Sequence, residues 1–209
     1  MSEHPQPWRR SPLLRMSYSL YAPLYDLTVE RAMRRARAAS LSRLPLHHPR
    51  SILISGVGTG LDLPLLPAMH RYTALDFNPA MMTRARARAA GLDIGFVLGD
   101  CMDLPFGAAC FDDVVLHLIV AVVPDPQRCL AEAARVLKPG GQVLLLDKFL
   151  HTGQHAPLRR LFNIVSRRFV TRMDVVFEEL LRAAPELEVI CDEPVLAGGW
   201  YRAVVLRKR

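Results

Sequence analysis

From residue 51 onward, short apolar runs alternate with stretches in which apolar residues recur every three or four positions. That alternation predicts buried parallel strands separated by covering helices, an α/β architecture. The runs place strands at 51–55, 72–76, 94–98, 111–117 and 141–147. Asn78-Pro79 supplies a helix cap followed by proline at the first helical position, and opens a helix that Gly91 closes. A second helix is expected from Pro126 to Leu137, where Lys138-Pro139-Gly140-Gly141 forces a turn. LEVICDEPV (187–195) and WYRAVVLRK (200–208) read as two further strands flanking a turn at Gly198-Gly199.

Two flanking segments follow a helical period instead. Over 26–44, Val29, Met33, Ala36 and Leu44 fall near one side while Arg31, Arg34 and Arg35 occupy another. Over 157–173, Leu158, Leu161, Phe162, Val165, Phe169 and Met173 form one stripe, with Arg160 and Arg167 opposite. Basic amphipathic helices of this kind suit packing on the body of the protein or lying on an anionic membrane surface with these arginines facing it.

Length and composition narrow the picture. The 209 residues, 51% apolar and 22% charged, fit one domain with peripheral additions. We expect a flexible 1–15 and a single domain over 16–209: a helical lid (16–50), a core (51–150), a helical insertion (151–185) and a C-terminal hairpin (186–209). No uncharged apolar run is long enough to cross a bilayer, and MSEHPQPWRRSP lacks the apolar core of a secretory signal, so the expected location is cytoplasmic. Cys101, Cys110, Cys129 and Cys191 match no zinc spacing and are expected to be reduced and mostly buried, with no metal. The net charge of +7 is concentrated in the flanks: residues 1–50 hold nine arginines against three acids, whereas 51–150 hold eight basic and ten acidic groups. Such flanks could meet nucleic acid, an anionic membrane or a phosphate-bearing substrate, although 24 arginines among 27 basic residues also fit a compositional bias.

The chemistry is concentrated where the first strand ends, in SILISGVGTG (51–60). Glycines after a buried strand permit a tight turn and close backbone approach to a ligand. A dinucleotide fingerprint requires a third glycine at position 61, which is Leu61, whereas Gly56, Gly58 and Gly60 alternate. Asp76 ends the next strand, where a carboxylate can accept from the hydroxyls of a ribose. Asp100 ends the one after, where it can accept from an adenine amino group, with Cys101 and Met102 as apolar neighbours. His117 ends the fourth strand at the ligand-binding edge and is the candidate to deprotonate or orient a nucleophile, or to hold the cofactor. Asp112 and Asp113, at the other end of that strand, read as structural.

The ordered set GVGTG, Asp76, Gly99-Asp100, FDDVV and LKPGG resembles the Rossmann-like, class I S-adenosylmethionine-dependent methyltransferases over residues 16–209. The resemblance implies a seven-stranded sheet whose last strand is antiparallel, with helices on both faces. It also implies S-adenosylmethionine as cofactor, converted to S-adenosylhomocysteine. Gly56, Gly58 and Gly60 would line its methionine part, Asp76 would hold the ribose, and Asp100, Cys101 and Met102 would surround the adenine, with Ser55 and Phe77 as further cofactor contacts. Ser55 departs from the family, which usually has Glu or Asp there.

YSLYAPLYDL (18–27) and HLIVAVVPDPQRCLAEAARVLKPGG (117–141) are similar, more narrowly, to bacterial phospholipid N-methyltransferases. That similarity implies conversion of phosphatidylethanolamine toward phosphatidylcholine by a protein peripheral on the inner membrane surface, with Tyr21 and Tyr25 as lid residues and Tyr25 touching the cofactor. Rival expectations are methylation of a quinone precursor or other small hydrophobic molecule, from whose pattern Leu27-Thr-Val-Glu30 departs, and a non-catalytic cofactor-binding regulator. Nucleic acid is not expected as substrate, because His117-Leu-Ile-Val120 stands where an Asn-Pro-Pro-aromatic motif would be.

Overall fold

The structure, a computed structural model, describes residues 33–149, 175–196 and 199–209. The expectations for Tyr21, Tyr25, Arg31, Arg160, Arg167, residues 1–15, the 157–173 helix and Gly198 lie outside the described residues. The elements in chain order are a helix α1 over 33–41, β1 (Ser51–Ser55), β2 (Arg71–Asp76), α2 (Pro79–Ala87), β3 (Asp93–Leu98), β4 (Phe111–His117), α3 (Pro126–Val136), β5 (Leu137–Lys148), α4 (Phe177–Leu181), β6 (Leu187–Leu196) and β7 (Tyr201–Lys208).

Seven strands form one sheet in the order β3-β2-β1-β4-β5-β7-β6. The first five are parallel, and β7 runs antiparallel between β5 and β6, as the family resemblance implies. The alternation of side chains along each strand divides the core between the two faces. Leu53, Val114, Leu116, Val143 and Leu145 pack toward α3 and α4, whereas Ile52, Ile54, Val115 and Leu144 pack toward Leu41 of α1 and Met82 and Ala85 of α2. Each fully buried Leu or Ile contributes roughly 1.5–3 kcal/mol relative to exposure, so the strand ends are held on a rigid platform. The order reverses between β1 and β4, and that switch point opens the carboxyl edge of the sheet to a ligand.

The helix ends follow from local chemistry. Asn78 Oδ1 accepts from the amides of Ala80 and Met81 at 2.9 and 3.4 Å, and Pro79 needs no such partner. Asp125 caps α3 in the same way through the Arg128 amide at 3.0 Å. Two expectations need correction. Residues 138–141 do not simply separate helix from strand, because β5 begins at Leu137, paired with Phe111, and the chain bulges until Gln142 pairs with Asp113. Gly140 takes φ +77° within that bulge. Only two of the four free cysteines, Cys101 and Cys129, are buried; Cys110 is exposed and Cys191 half-buried. Among the described residues no cluster of His, Cys, Asp or Glu could hold a metal ion. Asp112 and Asp113 are structural: Arg50 grips Asp113 and Lys138 grips Asp112, at the edge away from the switch point.

Candidate active site

The loop after β1 is built from backbone amides and one carboxylate. The amides of Gly56 and Val57 both donate to the Leu75 carbonyl, at 2.8 and 2.9 Å, folding the loop against the end of β2. Asp76 then accepts from the Gly58 amide through Oδ2 at 2.8 Å and from the Asn78 amide through Oδ1 at 2.9 Å. Burial raises the pKa of this carboxyl, while the amides of Asn78, Gly58 and Phe77 oppose the rise. The Gly99 amide donates to the Asp76 carbonyl at 3.0 Å, bringing the end of β3 alongside. There Asp100 Oδ1 accepts from the Met102 amide at 2.9 Å.

The three loop glycines do different work. A side chain on Gly60 would meet the backbone of Ala85 at 2.8 Å, so this glycine lets α2 approach the loop. Gly56 is covered in the same sense by the side chain of Ile119. Gly58, at φ +55°, has open space where a Cβ would project, and it alone of the three faces a region a ligand can enter. Ser55 is 1% exposed, and its hydroxyl has no hydrogen-bond partner. Cys101 is turned toward α3: its thiol pKa is raised first by a hydrogen bond with Cys129 and then by burial. Met102 is buried in the same core cluster as Cys101.

His117 sits in a polar cluster that the sequence did not announce. Its Nδ1 lies 3.0 Å from Asp62 Oδ1 and its Nε2 lies 2.9 Å from Ser40 Oγ. Arg37 Nη1 donates to the same Asp62 oxygen at 2.7 Å. All four residues are buried. Burial pushes the Asp62 pKa upward, but His117 and Arg37 outweigh it and hold the carboxyl well below the usual carboxylate range. An ionised Asp62 can only accept, so Nδ1 carries the proton, and in the neutral ring Nε2 accepts from the Ser40 hydroxyl. Both ring nitrogens of His117 are therefore engaged within the protein.

Comparisons with known proteins accord with this geometry. A methyltransferase domain family matches residues 53–145. A phosphatidylethanolamine N-methyltransferase from Cereibacter sphaeroides is 30% identical over 198 residues, covering 92% of this chain and 96% of that protein. The chain belongs to the class I S-adenosylmethionine-dependent methyltransferases. A demethylmenaquinone methyltransferase from Deinococcus radiodurans is 35% identical over 142 residues, 62% of this methyltransferase and 58% of that protein. A methyltransferase solved in complex with the Trm112 activator from Haloferax volcanii shares the fold, with a TM-score of 0.71 at 22% identity, over 91% of this chain and 97% of that one.

The residues present in the methyltransferase fit the cofactor the family implies. The unpartnered, buried Ser55 hydroxyl and the open side of Gly58 lie on the same loop, beside the carboxylate of Asp76. A second polar group occupies the same edge, on the far side of the switch point. Lys148 ends β5 and pairs in register with Tyr201, the first residue of β7, and its ammonium lies 5.9 Å from the Tyr201 ring centroid. Asp147 is buried and accepts from the amides of Ala121 and Lys148 at 2.9 and 2.8 Å. Burial lowers the Lys148 pKa against the pull of Asp147, and burial, with Asp147, raises that of Tyr201.

The sequence reading missed Arg37, Ser40, Asp62 and the Lys148–Tyr201 pair. A signal existed for the first two, since Met33, Arg37, Ser40 and Leu44 recur at helical spacing and all are buried. Arg34 and Arg35 are exposed, as expected of the opposite face.

Proposed function

We propose that this methyltransferase methylates the amine of phosphatidylethanolamine, working toward phosphatidylcholine as a peripheral protein at the cytoplasmic face of a membrane. The observation that carries the reading is the extent of the match: it spans nearly the whole of this chain and of the Cereibacter sphaeroides enzyme, whereas the quinone-type relative matches 62% of this chain. The surface charge supports it, because Arg34 and Arg35 project from the side of α1 away from the core in a flank that is strongly basic.

S-adenosylmethionine, when bound, supplies an electrophilic methyl group on a sulfonium sulfur. The task left to the chain is to position and to exclude water, since an in-line displacement gains most of its rate from alignment. Asp76 would offer its carboxylate to the ribose hydroxyls, Ser55 and Gly58 would face the amino-acid part, and Asp100 and Phe77 would border the adenosine. The acceptor approaches over the ends of β4, β5 and β7, where His117, Lys148 and Tyr201 lie. His117 is held by Ser40 and Asp62, so the headgroup ammonium gives its proton to water before the neutral amine enters. With the cofactor bound, the amine lone pair would form the new N–C bond as the C–S bond broke toward sulfur.

A quinone precursor is the second reading, favoured by the 35% identity to the Deinococcus radiodurans protein. Vesicles of phosphatidylethanolamine and phosphatidylglycerol, incubated with the purified protein and methyl-labelled cofactor, separate the two. Labelled mono-, di- or trimethylated ethanolamine lipids are the expected result. Label in an added demethylated quinol, with none in the lipid, would overturn it.

A further inference from the structure

The polar cluster around His117 joins three parts of the chain that apolar packing already holds near one another. Met33 and Ala36 of α1 pack on Leu146 and Ala203, and Leu41 and Leu44 pack on the β1–β2 face. Helix attachment therefore does not require Arg37, Ser40, Asp62 and His117. Burying two charged groups and an imidazole carries a desolvation cost that replacement by apolar residues would avoid. What the polar groups add is directionality and a specific place in the chain. Asp62 lies two residues beyond Gly60, at the end of the cofactor loop, where its carbonyl accepts the Leu65 amide at 2.9 Å. His117 is the last residue of β4, and the next amide, Leu118, donates to the Leu146 carbonyl at 2.7 Å. Arg37 and Ser40 lie on α1, which the chain enters directly from the N-terminal segment.

The distances chain these elements in sequence: Ser40 to His117 at 2.9 Å, His117 to Asp62 at 3.0 Å, and Arg37 to Asp62 at 2.7 Å. The order hydroxyl, imidazole, carboxylate is also that of a nucleophilic triad. Here Ser40 is 2% exposed, and no substrate can reach its oxygen, so the array has no use for it as a nucleophile. A carboxylate that accepts from both α1 and β4, while its backbone terminates the donor loop, makes the loop and the helix sensitive to each other's position.

We propose that Arg37, Ser40, Asp62 and His117 are positioning residues that couple α1 to the cofactor loop, so that seating the donor and fixing the N-terminal helix over the edge of the sheet are one event. The coupling is independent of which acceptor is methylated. It concerns the donor loop alone, so failure of the phospholipid reading would leave it standing.

Hydrogen exchange of the full chain, with and without S-adenosylhomocysteine, tests it together with calorimetric binding of the same probe. In the unaltered protein the probe should slow exchange both at 56–60 and in 33–41. In Asp62→Asn and Ser40→Ala, binding should weaken about five- to tenfold, and 33–41 should no longer respond to the probe while 56–60 still does. Ser40→Thr, which restores a hydroxyl, should recover the response, and Ser42→Ala on the exposed face of the same region should keep it. Should Asp62→Asn fail to fold, Ser40→Ala and its threonine rescue decide the matter. The proposal is overturned if exchange in 33–41 rises equally with and without the probe and affinity is unchanged, or if 33–41 never responds in the unaltered protein.

Discussion

The two halves of the carboxyl edge are built on opposite plans. On the β1–β2–β3 side, backbone amides converge on Asp76 and the Leu75 carbonyl, and the groups they hold are near neighbours in sequence. On the β4–β5–β7 side, side chains from distant parts of the chain meet: Ser40 with His117, His117 with Asp62, and Lys148 with Tyr201. Main-chain geometry of the first kind is one that many sequences can supply. Side-chain contacts such as the Lys148–Tyr201 pair can change without disturbing the loop. Substitutions at Asp76 and at Lys148 should therefore separate donor binding from acceptor turnover, whereas the Ser40–His117–Asp62 array reaches the donor loop through Asp62 and belongs with donor binding.

The largest effect is expected at Asp76. Replacing it with Ala leaves the Gly58 and Asn78 amides without their acceptor and removes the ribose contact, and calorimetry with S-adenosylhomocysteine should show binding about 100-fold weaker or worse. The same group sets an acid limb. On the proposed contact, the donor's hydroxyls need the ionised carboxylate, so affinity should fall as pH drops through the folded pKa, which burial places above the ordinary value of about 3.9. Asp76→Asn should bind weakly at every pH and lose that limb. If Asp76→Ala bound normally, the main-chain plan of the donor half would be wrong.

An intermediate effect is expected on the other side. Lys148→Met should lower acceptor turnover by about tenfold while donor affinity stays within about twofold, because the side chain lies across the switch point from the loop. Equal losses in both would erase the distinction between the halves. The smallest effect belongs to Ser55→Ala. The hydroxyl has no partner in the protein, so its loss should leave the melting temperature unchanged or slightly higher. If the donor uses that hydroxyl, its affinity should fall about two- to tenfold. An unchanged affinity would remove Ser55 from the cofactor site.

What could be read from the sequence divides along the same line. All seven strands stand where apolar runs bounded by glycine, proline or polar residues placed them, within a residue or two except at the start of β5. The Asn78 cap and the Asp76 loop were legible because their partners lie within 18 residues. Arg37 looked like one more cation on an arginine-rich helix. Its burial depends on Asp62, 25 residues away, and the Ser40–His117 contact spans 77. No local pattern encodes such pairings. The start of β5 was missed for a related reason: the Gly140 bulge takes its register from Phe111 on another strand.

The place of β7 decides what holds the far edge of the sheet. β6 precedes β7 in the chain, yet β7 is the strand that separates it from β5. Leu187–Leu196 is therefore held in the sheet through its pairing with Tyr201–Lys208, and the two can form as a local hairpin before Tyr201–Lys208 docks on β5. The five parallel strands pair without either, and an outer strand such as β6 offers an edge open to wrong pairing. A change that kept β7 off β5 would release β6 with it and leave the parallel strands that carry the donor loop paired as before.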